Sequence, residues 1–178
     1  QATGGDRGVL LSEVMRVEMG QSPPGHTYNE DGDGLPFYQG VKDFGWRYPS
    51  RRVYCSEPRK VAQKGDLLLA VRAPIGEVNV ATEQCATGRG LAILRSTHPA
   101  TCLQALTADP GLWAQYENEG TVFSSINREV IESRRIRWSD EPGLEAFLAA
   151  LDEAIFALHE EMFELTKRRD ELLPLLMS

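Results

Sequence analysis

Apolar positions change their rhythm once along this chain, near residue 141. Beyond that point the spacing alternates between four and three. It runs through Leu144, Leu148, Leu151, Ile155, Leu158, Met162, Leu165, Arg169, Leu172 and Leu176, and nine of these ten positions are apolar. A seven-residue repeat held for this long predicts one helix over 144–173, about 45 Å in length at 1.5 Å per residue. Pro142 and Gly143 precede it, and Pro174 is expected to end or kink its last turn. Two packings fit the pattern: a coiled-coil seam on a second helix, or an amphipathic helix on its own domain, with Phe147, Phe156 and Phe163 widening the apolar face.

Before residue 141 the apolar clusters are short, as strands are. Residues 8–19 read as a short helix passing into a strand, and Leu35–Gln39 as another strand. Gly20–Gly34 is rich in glycine and proline and is expected to lack regular structure. Gly65-Asp66 reads as a turn feeding Leu67–Val71, whose apolar residues on both faces predict a buried strand. Val78–Ala81 and Gly90–Leu94 are further strands. Pro99–Glu119 turns helical with a break at Asp109–Gly111, and Val130–Trp138 reads as a last extended segment. Strands followed by a few helices predict an α+β domain over 1–141, with a mixed or antiparallel twisted sheet, and a separate coiled-coil helix over 142–178.

Composition narrows the class. Of 178 residues, 42% are hydrophobic and 25% charged, the balance of a folded globular protein. No apolar run approaches the ~20 residues that cross a bilayer, and the first residues do not form a signal peptide. A start without Met and an end just after a helix suggest a piece of a longer protein. Cys55, Cys85 and Cys102 are odd in number and scattered, so buried thiols in a reducing cytoplasm are expected. The net charge of −7 is uneven. Residues 142–178 carry a net −5, whereas residues 42–95 hold ten basic against five acidic side chains. A basic middle on an acidic chain is compatible with nucleic acid.

Catalytic signatures are wanting. Ser22–Gly25 has the prolines of an amine-methylating turn but neither the amide before them nor the aromatic after. Thr87–Gly90 leads into a strand, so it offers no helix N-terminus for phosphate. His26, His98 and His159 lack partners at ligand spacing. Asn29–Gly34 resembles the opening of a calcium loop, but Gly40 stands where the bidentate Glu belongs. No catalytic residue, metal or cofactor is expected. What remains is Gly40–Tyr54, dense in arginine and aromatic residues, either a DNA-reading surface or a solvated loop anchored by its rings. Tyr48, Ser50, Gln39 and Asn127 would add polar contacts.

The order and spacing of several short motifs resemble the target recognition domain of type I restriction–modification specificity subunits. They are Gly20, Ser22 and Pro23; Pro36, Phe37, Gly40, Asp43 and Phe44; Gly65–Leu68 with Val71, Arg72, Pro74 and Gly76; Gly88–Gly90; and Gly120, Thr121, Phe123 and Ile126. The heptad helix with Arg168–Leu173 near its end fits the spacer of that family. One departure is the segment Ile136–Leu144, where family members carry a proline-rich stretch.

The resemblance implies a non-catalytic reader of one half of a split double-stranded DNA target, with catalysis in methyltransferase and restriction subunits. It implies DNA contacts from Ser22, Gln39, Lys42, Arg47, Tyr48, Arg51, Arg52, Arg72 and Arg89. The rod would space two readers by about 13 base pairs at 3.4 Å per step. It would pair either in an antiparallel homodimer, Arg169 facing Asp152 or Glu145 of the other copy, or with a second half of a longer subunit. Loss of Arg51 and Arg52 together is expected to weaken DNA binding without lowering thermal stability. Two other readings stay open: a coiled-coil adaptor that binds no DNA, and the recognition tail of a fused restriction–methylation enzyme.

Overall fold

The run Leu67–Ala70 is apolar at every position because it lies between two cores. Leu67 and Leu69 face one, Leu68 and Ala70 the other, and all four are at most 2% exposed. The computed structural model of the chain describes residues 7–117 and 125–176. They divide into two units, Gln1–Ser139 and Asp140–Ser178.

The first unit begins with β1 (Arg7–Leu10), α1 (Leu11–Val14) and β2 (Arg16–Met19). Next come β3 (Tyr28–Asn29), β4 (Leu35–Tyr38), β5 (Tyr54–Cys55), β6 (Val61–Ala62) and β7 (Leu67–Ala70). There follow β8 (Val78–Val80), β9 (Cys85–Thr87), β10 (Leu91–Arg95), α2 (Pro99–Thr107), α3 (Ala114–Glu117), α4 (Arg128–Glu132) and β11 (Arg135–Trp138). Single 3-10 turns sit at Gly25–Thr27 and Val41–Asp43.

Among the described residues the strands form three sheets. The central one, β2-β10-β7-β8, is antiparallel throughout. One of its faces packs on α1, α2, α4 and β11 through Leu11, Leu103, Leu106, Ile131 and Ile136. The other packs on the sheet β3-β5-β4-β9-β6, which is mixed because β4 and β9 run parallel. The pair β1-β11 completes the first core. The fold class is thus the α+β arrangement that the pattern predicts. All three cysteines are buried free thiols, and burial, with Glu83 and Asp66 adding, pushes the Cys85 thiol up to about 12.

Several local expectations are corrected. Residues 130–138 are not one extended segment, because Asn127 caps a short helix there by accepting the Val130 N–H at 3.0 Å, and only Arg135–Trp138 is strand. The side-chain oxygen expected to meet DNA is therefore already engaged. Strands β5, β6 and β9 span two or three residues, too few for a period of two to register. Gly120, Thr121 and Phe123 of the motif set lie outside the described residues.

The second unit is one helix, α5 (Leu144–Leu176), entered through a turn in which Gly143 takes φ +85°. It runs past Pro174 rather than ending there. Proline's fixed φ is itself helical, and only two helical residues follow it. No residue of α5 is buried. Leu151, Leu158, Met162, Leu165 and Leu172 are exposed, while Leu144, Leu148 and Ile155 are partly covered. No helix among the described residues is long and apolar enough to cross a membrane.

Candidate nucleic-acid interface

The central sheet ends, on one side, in three touching turns. The antiparallel pairings place Ala70 opposite Leu91 and Met19 opposite Ala92. Backbone bonds carry the pairing outward: Val71 N–H to Gly90 O at 2.9 Å, Gly20 N–H to Leu91 O at 2.9 Å and Gln21 N–H to Thr87 O at 3.1 Å. Ser22 Oγ then accepts the Arg89 N–H at 3.2 Å. A third stretch crosses here, with Gly88 N–H donating to Tyr38 O at 2.8 Å. The crossing is so close that a Cβ on Gly90 would lie 2.1 Å from Gln39 O, and one on Gly20 2.1 Å from Gly88 O. Glycine is required by space at both positions.

The backbone positions of Ser22, Gln39, Arg72 and Arg89 are therefore brought to one edge of the unit. Arg72 and Arg89 are exposed, and Ser22 and Gln39 half-buried. Tyr28 joins them, donating its hydroxyl to Pro23 O at 2.7 Å. Burial and the nearby Cys55 push its phenol above the ordinary value, against the opposing pull of Arg89 and a hydrogen bond with Ser22. Sequence reasoning missed Tyr28, because nothing in its spacing ties it to a glycine turn sixty residues on.

Gln39 links this edge to the loop that follows. Asp43 is 2% exposed and organises that loop. Its Oδ2 accepts the Gln39 N–H at 2.7 Å and its Oδ1 accepts Arg52 Nη2 at 2.5 Å. Its own N–H donates to Gly40 O at 3.0 Å, and its carbonyl accepts the Ser50 N–H at 2.8 Å. Lys42, one residue earlier, is exposed. The other sequence candidates are spread out. Arg51 pairs with Glu83 at the surface, and Arg47 is half-buried with its carbonyl accepting the Val80 N–H at 2.9 Å. Tyr48 is 5% exposed, so the ring expected to touch DNA packs inward instead.

Charge sorts the ten basic residues of the middle segment. Arg51, Arg52, Lys60 and Arg95 form ion pairs with Glu83, Asp43, Glu18 and Asp66. The Lys60 ammonium, hydrogen-bonded to Glu18, holds that carboxyl below the usual range against its own partial burial. Lys42, Arg59, Arg72 and Arg89 are exposed and form no ion pair among the described residues. An edge with two outward arginines, a hydroxyl and an amide, and an exposed lysine in the loop that leaves it, suits a polyanion with hydrogen-bonding edges. Among the described residues no group of His, Cys, Asp and Glu could hold a metal ion.

The chain is a homologue of the specificity subunits of type I restriction enzymes. It is 32% identical over 174 residues to a putative type I restriction enzyme MjaX specificity subunit of Methanocaldococcus jannaschii, matching 93% of this chain and 40% of the relative. Among solved structures it resembles the HsdS subunit from Thermoanaerobacter tengcongensis, at 37% identity and TM-score 0.66, over 87% of this chain and 39% of that one. A structure on complex assembly and conformational transition of the type I R-M system matches at 38% identity and TM-score 0.67, over 89% of this chain and 41% of that one. The S subunit of a type I system from M. genitalium shares the fold at 15% identity and TM-score 0.68, over 93% of this chain and 44% of that one. No protein-family model matches the sequence. The chain spans about 40% of the length of the curated relative it matches.

Two outcomes follow from this geometry. Arg52→Ala leaves a buried carboxylate without its cation and should cost about 1–3 kcal/mol. Arg51→Ala breaks a surface pair and should cost under about 1 kcal/mol. Urea unfolding of the two variants checks both, and it replaces the expectation that removing both arginines spares stability. In the same assay Gly90→Ala should cost at least about 2 kcal/mol, whereas Gly25→Ala, with nothing within 4 Å of the added carbon, should stay within about 0.5 kcal/mol.

Proposed function

We propose that this chain is the DNA-reading part of a type I specificity subunit, with residues 1–141 as reader and 142–178 as spacer and pairing helix. It reads one half of a bipartite double-stranded target and docks methyltransferase subunits, and through them the restriction subunit, which carry the chemistry. The observation that supports this best is the gathering of Arg72 and Arg89, outward and without ion pairs, beside Ser22 and Gln39 on one edge, with exposed Lys42 in the loop that follows Gln39.

Within that reading the residues divide. Arg89 and Arg72 sit on the tightest backbone and are assigned to base edges, where a planar guanidinium takes guanine bidentately. Lys42, on a long flexible stem, is assigned to phosphate, and Arg52 to holding the loop through Asp43. The helix contributes spacing. Thirty-three residues make a rod of about 50 Å, or about 15 base pairs. Its stripe from Leu144 to Leu172 is assigned to an antiparallel mate, a second copy or a second half of a longer subunit. Arg169 reaches its neighbour Asp170 at 2.6 Å in an exposed pair of little energetic weight, so it remains available across such a seam.

Arg89→Ala should relax preference at one base position, at about 1–3 kcal/mol of discrimination. Lys42→Ala should weaken binding to all sequences and flatten the salt dependence by about one unit of slope. Binding to duplex DNA across a salt series, with and without the methyltransferase subunit, checks both. No salt-dependent binding in either condition would leave a protein-binding adaptor as the better account. Sedimentation at micromolar concentration should find a dimer of this chain, and a monomer at every concentration would remove the homodimer.

A further inference from the structure

Apart from one residue, the large apolar side chains that stand exposed among the described residues all lie on α5. The exception is Trp46, 82% exposed on the globular unit. Leaving an indole in water forgoes the stabilisation that burial would supply. The surrounding loop is not a floppy one in which such exposure is incidental. Phe44 and Pro49 bridge across its base, and Gly45 N–H donates to Tyr48 O at 3.1 Å. Asn79, itself 2% exposed, grips Gly45 from below, accepting its N–H at 3.1 Å and donating to its carbonyl at 3.1 Å. Val80 N–H fixes the other side of the tip through Arg47 O. The loop's own apolar residues turn inward, with Tyr48 and Pro49 buried and Phe44 packed on the second core. Five hydrogen-bonded or bridged positions thus hold one ring outward.

We propose that Trp46 is a stacking contact for duplex DNA, its indole lying on a base or sugar face at the margin of the bound site. This rests on the DNA-reading function above and adds a non-ionic anchor to it. The choice of DNA over a protein surface comes from charge. Residues 40–54 carry Lys42, Arg47, Arg51 and Arg52 against Asp43 alone, a net +3 on a chain of net −7. Arg51 and Arg52, just beyond the loop's base, keep much of their side chains open, 56% and 48% respectively, although each pairs with a carboxylate. An outward ring on a segment of net positive charge suits a polyanionic duplex, where it can lie on a sugar face or wedge against a base step, and such a contact adds affinity while selecting little sequence.

The test compares the whole chain with Trp46→Ala and Trp46→Phe on a pool of random-sequence duplexes and on sequences enriched from it. Trp46→Ala should bind roughly tenfold more weakly on every sequence, with the salt slope unchanged, and Trp46→Phe should recover most of the loss. Trp46 is the exposed member of three tryptophans, so acrylamide-accessible emission should fall when DNA is added to the unaltered chain. Urea midpoints should coincide, since the ring packs on nothing. Equal affinity of Trp46→Ala and the unaltered chain, or unaltered quenching, overturns the proposal. Loss of methyltransferase-subunit capture with DNA affinity intact overturns it too, in favour of a protein contact. Failure of the unaltered chain to bind any duplex defeats the DNA reading itself, a different result from either.

Discussion

Three stretches of backbone that are far apart in sequence meet where Gly20 and Gly90 leave no room for a side chain and Gly88 leaves little. The rest of the globular unit depends on that contact. It sets where β2 stops, where β10 starts and where the loop after β4 begins. A steric constraint of this kind costs little in energy when glycine is present and is costly to violate otherwise. It also defines an edge on which side chains arise from rigid backbone, as a site that must discriminate by hydrogen bonds requires. Arg89 is held between two such glycines, with its N–H bonded to Ser22, so its freedom is confined to its own side-chain rotations.

Electrostatics divides the basic residues into props and contacts. Asp43 and Asp66 are both nearly buried, and each takes a backbone N–H and an arginine. A carboxylate in that position is stabilised only by complete pairing, so its arginine is committed to structure. The residues left facing outward are fewer than the composition suggests, and two of them, Arg72 and Arg89, share one edge. This reconciles a chain of net −7 with a polyanionic ligand, since association answers to the local field.

How much of this was legible depended on the range of the interaction. The heptad ladder and the doubly apolar Leu67–Val71 are local patterns with strong periodicity, and both were readable from residues alone. The short strands β5, β6 and β9 were not, because pairing partners such as Phe37 and Ala86 lie far apart in the chain. Residues 130–138 misled because Val130 and Ile131 are β-branched, while the capping signal at Asn127 is a single residue. At the candidate site, basic composition singled out a segment but could not separate Arg52 from Lys42. That distinction rests on the buried Asp43, an acid whose burial no local pattern announces. Tyr48 and Trp46 are two residues apart with opposite fates, decided by the Asn79 grip on Gly45 from another strand.

A helix of 33 residues without a single buried position has little to hold it but its own hydrogen bonds and whatever covers it. Helical propensity alone leaves such a segment marginal in water, so its order is linked to occupancy of the apolar stripe. Dilution then becomes a variable with structural meaning. In the proposed pairing, the rigidity of the helix rises and falls with the concentration of the segment that covers it.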